Sequence, residues 1–260
     1  MSSADKPIRR VLLTNDDGID APGLAVLAEI AAHLAEEVWT VAPAFDQSGT
    51  SHSISLHEPL RLTQHGERRF SVSGTPGDAV AMGLRHVLAD APPELILSGV
   101  NRGGNIGVET VFSGTVGAAM TAMLLGVPAI ALSQTFRDRH NVPWDTARRL
   151  GPEVLRRLLA LPAQTGVCLN VNFPAVPPDQ AGPLTVTRQG PGLLNNVVVQ
   201  RSTDPRGLDY FWLQLQRGQR ENPADSETAA VARGAISVTP LGFERTVDSA
   251  YARLRESLSA

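Results

Sequence analysis

Asp16 and Asp17 stand side by side at the end of an apolar run, in Val11-Leu12-Leu13-Thr14-Asn15-Asp16-Asp17-Gly18. Two neighbouring carboxylates that lose hydration repel each other and need a compensating cation. Oxygen donors suit a hard divalent ion, Mg²⁺ or Mn²⁺. A lone Asp after a strand is usually a helix cap or a turn former. Capping does not account for a repelling pair. The pair therefore predicts a metal-dependent site, with a phosphate ester as its natural substrate.

Four further loops carry compatible chemistry. Residues 42–51 include Ser48 and Gly49, a hydroxyl and a flexible backbone, although taken alone this is an ordinary polar loop. In Ser73-Gly74-Thr75-Pro76-Gly77-Asp78, Thr75 suits a helix N-cap or a substrate contact. The stretch 98–107 holds four glycines, Asn101, Asn105 and Arg102, so backbone, amide and guanidinium groups can all approach an anion. Ser113-Gly114-Thr115 precedes an apolar helix, whose free N–H groups and positive dipole end attract anions. Capping alone would explain Ser113 or Thr115. It would not gather four such loops at one sheet edge.

These loops need a scaffold, and the hydrophobic pattern supplies one. Strand-like runs at 11–14, 38–42, 95–100, 129–132 and around Cys168 alternate with helix-like runs at 23–36, 76–89, 115–125 and 144–161. That rhythm predicts an α/β fold, a Rossmann-like three-layer sandwich with a mainly parallel sheet. Alternation at 53–56 and 69–72 around Gly66 predicts an inserted β-hairpin over about 53–73. Short strands at 184–187, 210–215 and 235–239 and a helix at 249–259 form a less regular end. The expected division is a catalytic core over 1–175 and a C-terminal extension over 176–260 that packs on the core, extends into a partner subunit in oligomerisation, or does both.

Composition narrows the function. A chain of 260 residues with net charge −3 and no basic stripe is not a sequence-independent nucleic-acid binder. Residues 110–136 carry no charge, but Gly126, Val127 and Pro128 break them into a buried helix and a strand rather than a membrane span. The first ten residues lack the apolar centre of a signal peptide, and the single cysteine, Cys168, cannot form an internal disulfide. Both favour a cytoplasmic protein, with Cys168 as a small buried hydrophobe.

Together, Thr14-Asn15-Asp16-Asp17-Gly18-Ile19, Ala42-Pro43 with Ser48, Gly74-Thr75-Pro76, Ser98-Gly99-Val100-Asn101-Arg102-Gly103-x-Asn105 and Ser113-Gly114-Thr115-Val116 resemble the SurE family, the survival-protein 5′-nucleotidases. Ala235-Ile236-Ser237-Val238-Thr239-Pro240-Leu241 is similar to that family's C-terminal strand motif. The resemblance implies that Asp16, Asp17, Ser48 and Asn101 hold one divalent cation per subunit. It also implies that Asn105, Ser113, Gly114 and Thr115 surround the substrate phosphate. It further implies a homodimer or homotetramer with an exchanged C-terminal extension, acting on nucleoside 5′-monophosphates and sometimes on short polyphosphates.

Two attacking groups fit these residues: a water that gives its proton to one aspartate, or Asp16 or Asp17 directly. Two rival readings compete with this one. Aspartate-nucleophile phosphatases need a second Asp two residues after the first, where this chain has Gly18 or Ile19. A nucleotide-binding regulator would use the same crevice without turnover.

Overall fold

Alternation along the first strand divides the interior into two cores. In β1 (Ile8–Thr14), Leu12 joins Val41, Ile96 and Val116 in one cluster, while Val11 and Leu13 join Leu27, Ile30 and Leu155 in the other. The two-residue period of a strand requires this split. The computed structural model describes residues 6–162 and 164–259.

Beyond β1 come β2 (Ala35–Pro43), β3 (Leu62–Gly66), β4 (Arg69–Val72), β5 (Leu95–Arg102), β6 (Ala129–Gln134), β7 (Cys168–Phe173) and β8 (Leu184–Val186). A separate antiparallel hairpin, β9 (Leu194–Thr203) with β10 (Asp209–Arg217), precedes β11 (Ile236–Leu241). The main sheet runs β3-β4-β2-β1-β5-β6-β7-β11-β8, parallel except where β3 meets β4 and β11 meets β7. Helices α1 (Pro22–Ala32), α2 (Pro76–Met82), α3 (Gly114–Leu124) and α4 (Trp144–Leu159) cover it, the first and last on one face and the middle two on the other. Two more helices, α5 (Glu227–Ala232) and α6 (Asp248–Leu258), lie in the C-terminal third. This is the expected three-layer, mainly parallel α/β fold.

Several expected boundaries move, each for a local reason. The helix predicted over 23–36 stops at Ala32, and β2 begins at Ala35 rather than at 38. Ala35 and Glu37 come into register with Ile8 and Arg10, and Arg10 pairs with Glu37 at 2.6 Å. The helix predicted over 76–89 is α-helical only to Met82, then widens into a π turn, Gly83–Val87.

The predicted hairpin forms only in its second half. Residues 53–56 are not a strand, because Ser55 donates its N–H and hydroxyl to Asp78 at 2.9 and 2.7 Å, and Ser53 accepts from Thr75 at 2.6 Å. Thr75 is indeed the N-cap of α2, in a reciprocal box with Asp78. Strand β4 pairs in parallel with β2, so the hairpin widens the main sheet. At the other edge, β11 and β8 join the same sheet beside β7. Neither β9 nor α5 was anticipated, since β9 is mostly exposed and polar and α5 is only six residues long. The uncharged stretch 110–136 is the expected buried helix and strand, and among the described residues no helix is long and apolar enough to cross a membrane. Cys168 is fully buried, and burial pushes its thiol up to about 12, which removes it as a nucleophile.

Candidate functional site

From β1 the chain leaves to β2 on one side, and it later returns to β5 on the other. Crevices open beyond the carboxyl ends of strands at such a reversal. Here that edge carries a cleft of about 720 Å³, lined by Asp16, Asp17, Ser48, Asn101, Asn105 and Ser113 among others. Six of the eight expected site residues therefore face one space. The other two, Gly114 and Thr115, stand immediately behind Asp16.

The acidic corner is built by the turn after β1. Asn15 donates its side-chain N–H to the Gly18 carbonyl at 2.8 Å, and the Asp16 carbonyl accepts from Gln47 N–H at 2.7 Å. That second bond draws the loop carrying Ser48 against the corner. Ser48 in turn gives its N–H to the Asp46 carboxylate at 2.8 Å. Asn101, next to last in β5, spends its side-chain N–H on the Gly103 carbonyl at 2.9 Å, which leaves its side-chain oxygen without a protein donor among the described residues.

Asp16 is nearly buried, at 4% exposure. Its Oδ1 accepts the Thr115 hydroxyl at 2.5 Å, and no protein donor among the described residues reaches Oδ2. Burial, with the charge of Asp17 adding to it, lifts the Asp16 carboxyl from its ordinary 3.8 to about 6 despite the Thr115 bond. Burial raises Asp17 as well, opposed by the N–H and guanidinium of Arg102. Gly114 is required here, since a Cβ on it would lie 2.7 Å from Asp16 Cβ. The missing side chain lets the first turn of α3 press against the aspartate.

Thr115 thus departs from its expected place. Its side chain holds Asp16 and does not line the cleft, so what it and Gly114 offer an anion is the pair of backbone N–H groups that open α3. Ser113 caps that helix by accepting Val116 N–H at 3.0 Å. Asn105 is fixed on several sides. Its side chain donates to Ser133 at 2.9 Å, its N–H donates to Asn172 at 2.8 Å, and its carbonyl accepts from Asn170 and Asn172.

The side chains that share this cleft include two carboxylates, a hydroxyl and an amide oxygen, donor types that fit one hard divalent cation. Among the described residues no group of three or more His, Cys, Asp or Glu is gathered to hold a metal, so the donor set of a typical zinc centre is not assembled.

Sequence reasoning missed part of the wall. Glu109, Phe112, Phe136 and Arg139 line the cleft, as do Arg217 from β10 and Thr228 from α5. Arg217 grips Glu109 at 2.7 Å across more than a hundred residues. No periodicity signals a contact between segments so far apart. Asp46 was also overlooked, although its position two residues before Ser48 in a loop at a strand end could have flagged it.

With this geometry in hand, comparison with known proteins is specific. The family profile described as "Survival protein SurE" matches residues 11–196. A protein named 5′-nucleotidase SurE 1 from Burkholderia lata is 63% identical over 249 residues, 96% of each chain. One named 5′-nucleotidase SurE from Rhodopseudomonas palustris is 47% identical over 253 residues, 96% of this chain and 99% of that one. Among solved structures, the SurE protein from Aquifex aeolicus superposes with a TM-score of 0.81 at 32% identity, over 95% of this chain and 98% of its own. The chain belongs to the SurE family of survival proteins.

Proposed function

We propose that this chain is a 5′-nucleotidase that hydrolyses nucleoside 5′-monophosphates to nucleoside and phosphate, with short polyphosphates as additional substrates and one Mg²⁺ or Mn²⁺ per subunit. The observation that carries this reading is the corner itself: a buried Asp16 beside Asp17 at the edge of one cleft, with the anion-attracting start of α3 packed against it. When bound, the cation supplies charge withdrawal from the phosphate ester. Asp16, Asp17, Ser48 and Asn101 would hold it. The N–H groups of Gly114 and Thr115 and the hydroxyl of Ser113 would receive the phosphoryl oxygens, with Asn105 alongside. One of the paired aspartates takes the proton of the attacking water. Trapping a phospho-aspartate would overturn the water route. Phe112 and Phe136 give the cleft aromatic surface against which a nucleoside can pack.

The direct test is phosphate release from AMP and GMP with Mn²⁺, with and without EDTA. Release that EDTA abolishes and added Mn²⁺ restores is expected. No release from any nucleotide would leave a binding module, and release indifferent to EDTA would remove the cation.

Thr115→Val keeps the shape but deletes the hydrogen bond to Asp16. Loss of a partner that orients a ligand typically costs about tenfold to a hundredfold in metal affinity, and Mn²⁺ titration calorimetry should show a drop of that size. An unchanged affinity would mean that packing alone orients Asp16.

The same reading includes a homodimer or homotetramer. It is supported by apolar side chains exposed on the β9–β10 hairpin, among them Phe211, Trp212 and Leu213, and by Tyr251, Leu254 and Leu258 on α6.

A further inference from the structure

Glu227 opens α5, outside the segment 11–196 that matches the family profile, and its side chain is fully buried. Its Oε1 accepts Gly107 N–H at 2.6 Å and its Oε2 accepts Gly190 N–H at 2.8 Å. A buried carboxylate is costly unless hydrogen-bonded, and burial does raise this one, opposed by those two amides. Next to it, Gln189 donates to the Gly107 carbonyl at 2.9 Å and to the Thr110 hydroxyl at 2.6 Å. Gly107 has φ +65, and a Cβ there would fall 2.2 Å from Gly192 Cα. Backbone meets backbone at this point, with Glu227 as the clasp.

The held turn, Gly107–Phe112, lies between Asn105 and Ser113, both of which line the cleft. One residue beyond Glu227, Thr228 lines the same cleft. We propose that Glu227 is a positioning residue that sets the substrate side of the cleft, holding Gly107 so that Asn105 and Ser113 stand at working distance from the Asp16–Asp17 corner. This rests on the nucleotidase reading and adds to it a control point in the C-terminal third. The effect falls on nucleotide capture and leaves the corner's own affinity for a cation unchanged.

The test uses the full chain, with Glu227→Gln, Glu227→Asp and Gln189→Ala beside the unaltered protein. Three quantities are read: KM and kcat for AMP with Mn²⁺, Mn²⁺ affinity by calorimetry without nucleotide, and hydrogen exchange of residues 103–113. In Glu227→Gln one acceptor becomes a donor facing a backbone N–H. A displaced contact shell of this kind costs about tenfold or more, so KM should rise by about that factor. The change in kcat should stay below about threefold, Mn²⁺ affinity should hold within about twofold, and residues 103–113 should exchange faster. Glu227→Asp keeps the charge at shorter reach and should fall between. Gln189 is exposed, so Gln189→Ala should fold normally and shift KM and exchange in the same direction by less.

Unchanged KM and exchange in both Glu227→Gln and Gln189→Ala would overturn the proposal. So would a joint loss of kcat, KM and cation affinity, which marks a merely structural role. If Glu227→Gln does not fold, Gln189→Ala decides. If the unaltered protein releases no phosphate, the nucleotidase reading fails, and AMP affinity by calorimetry together with exchange still judges the clasp.

Discussion

Asp17→Asn, and separately Asp16→Asn, should lower phosphate release from AMP by at least about a thousandfold while the fold stays intact. Each change is nearly isosteric and removes one negative charge from a corner whose two carboxylates face the same cleft. Charge stabilisation by a bound cation is worth several kcal/mol, and roughly 4 kcal/mol corresponds to that factor in rate. The two variants differ in what they leave behind. Without Asp17, the guanidiniums of Arg102 and Arg139 lose their nearby counter-charge, whereas without Asp16 only the Thr115 hydroxyl loses a charged acceptor. Phosphate release measured alongside Mn²⁺ titration and circular dichroism checks the expectation. Turnover near the unaltered rate in either variant would remove that aspartate from the chemistry.

In EDTA, Asp16→Asn should also make the protein harder to melt at neutral pH. The sign follows from linkage. Asp16 binds its proton more tightly folded, at about 6, than at its ordinary 3.8, so the folded state carries more protons through that window. Stability on this account therefore falls as pH rises from about 4 to about 6. Above the window the penalty is up to about 3 kcal/mol, since each pKa unit is worth about 1.4 kcal/mol. Asparagine carries no such penalty and can still accept from Thr115. The variant should melt several degrees higher than the unaltered protein at pH 7 and at about the same temperature near pH 4. Saturating Mn²⁺ should reverse the order at pH 7, because only the intact corner gains from binding. Calorimetric melts across this pH range check it, and a gap of constant size would show that ionisation of Asp16 is not its cause.

Much of this was legible in the sequence because the informative signals are local. The apolar run before Asp16, the caps at Thr75 and Ser113 and the alternation of strand and helix patterns each depend on neighbours a few residues away, and each appears in the structure. The corner was legible for the same reason, since Asp16, Asp17, Ser48 and Asn101 each follow or end a strand. The misses are of another kind. Residues 53–56 alternate like a strand, but Asp78 claims their polar groups from more than twenty residues away. The side chain of Thr115 bonds Asp16, ninety-nine residues earlier, a partner that local spacing does not signal. Glu109, Arg217 and Glu227 meet across the fold in pairings that spacing does not encode.

The place of β11 has a consequence for how the protein comes into being. It lies between β7 and β8, although β8 precedes it in the chain. While the ribosome is still at work, the earlier strands can associate in order. Yet β8 has nothing to pair with in the main sheet until β11 emerges, and the cleft lacks the flank that α5 provides until that helix emerges. The acidic corner is thus synthesised early, and the side of the cleft wall that α5 supplies is synthesised late.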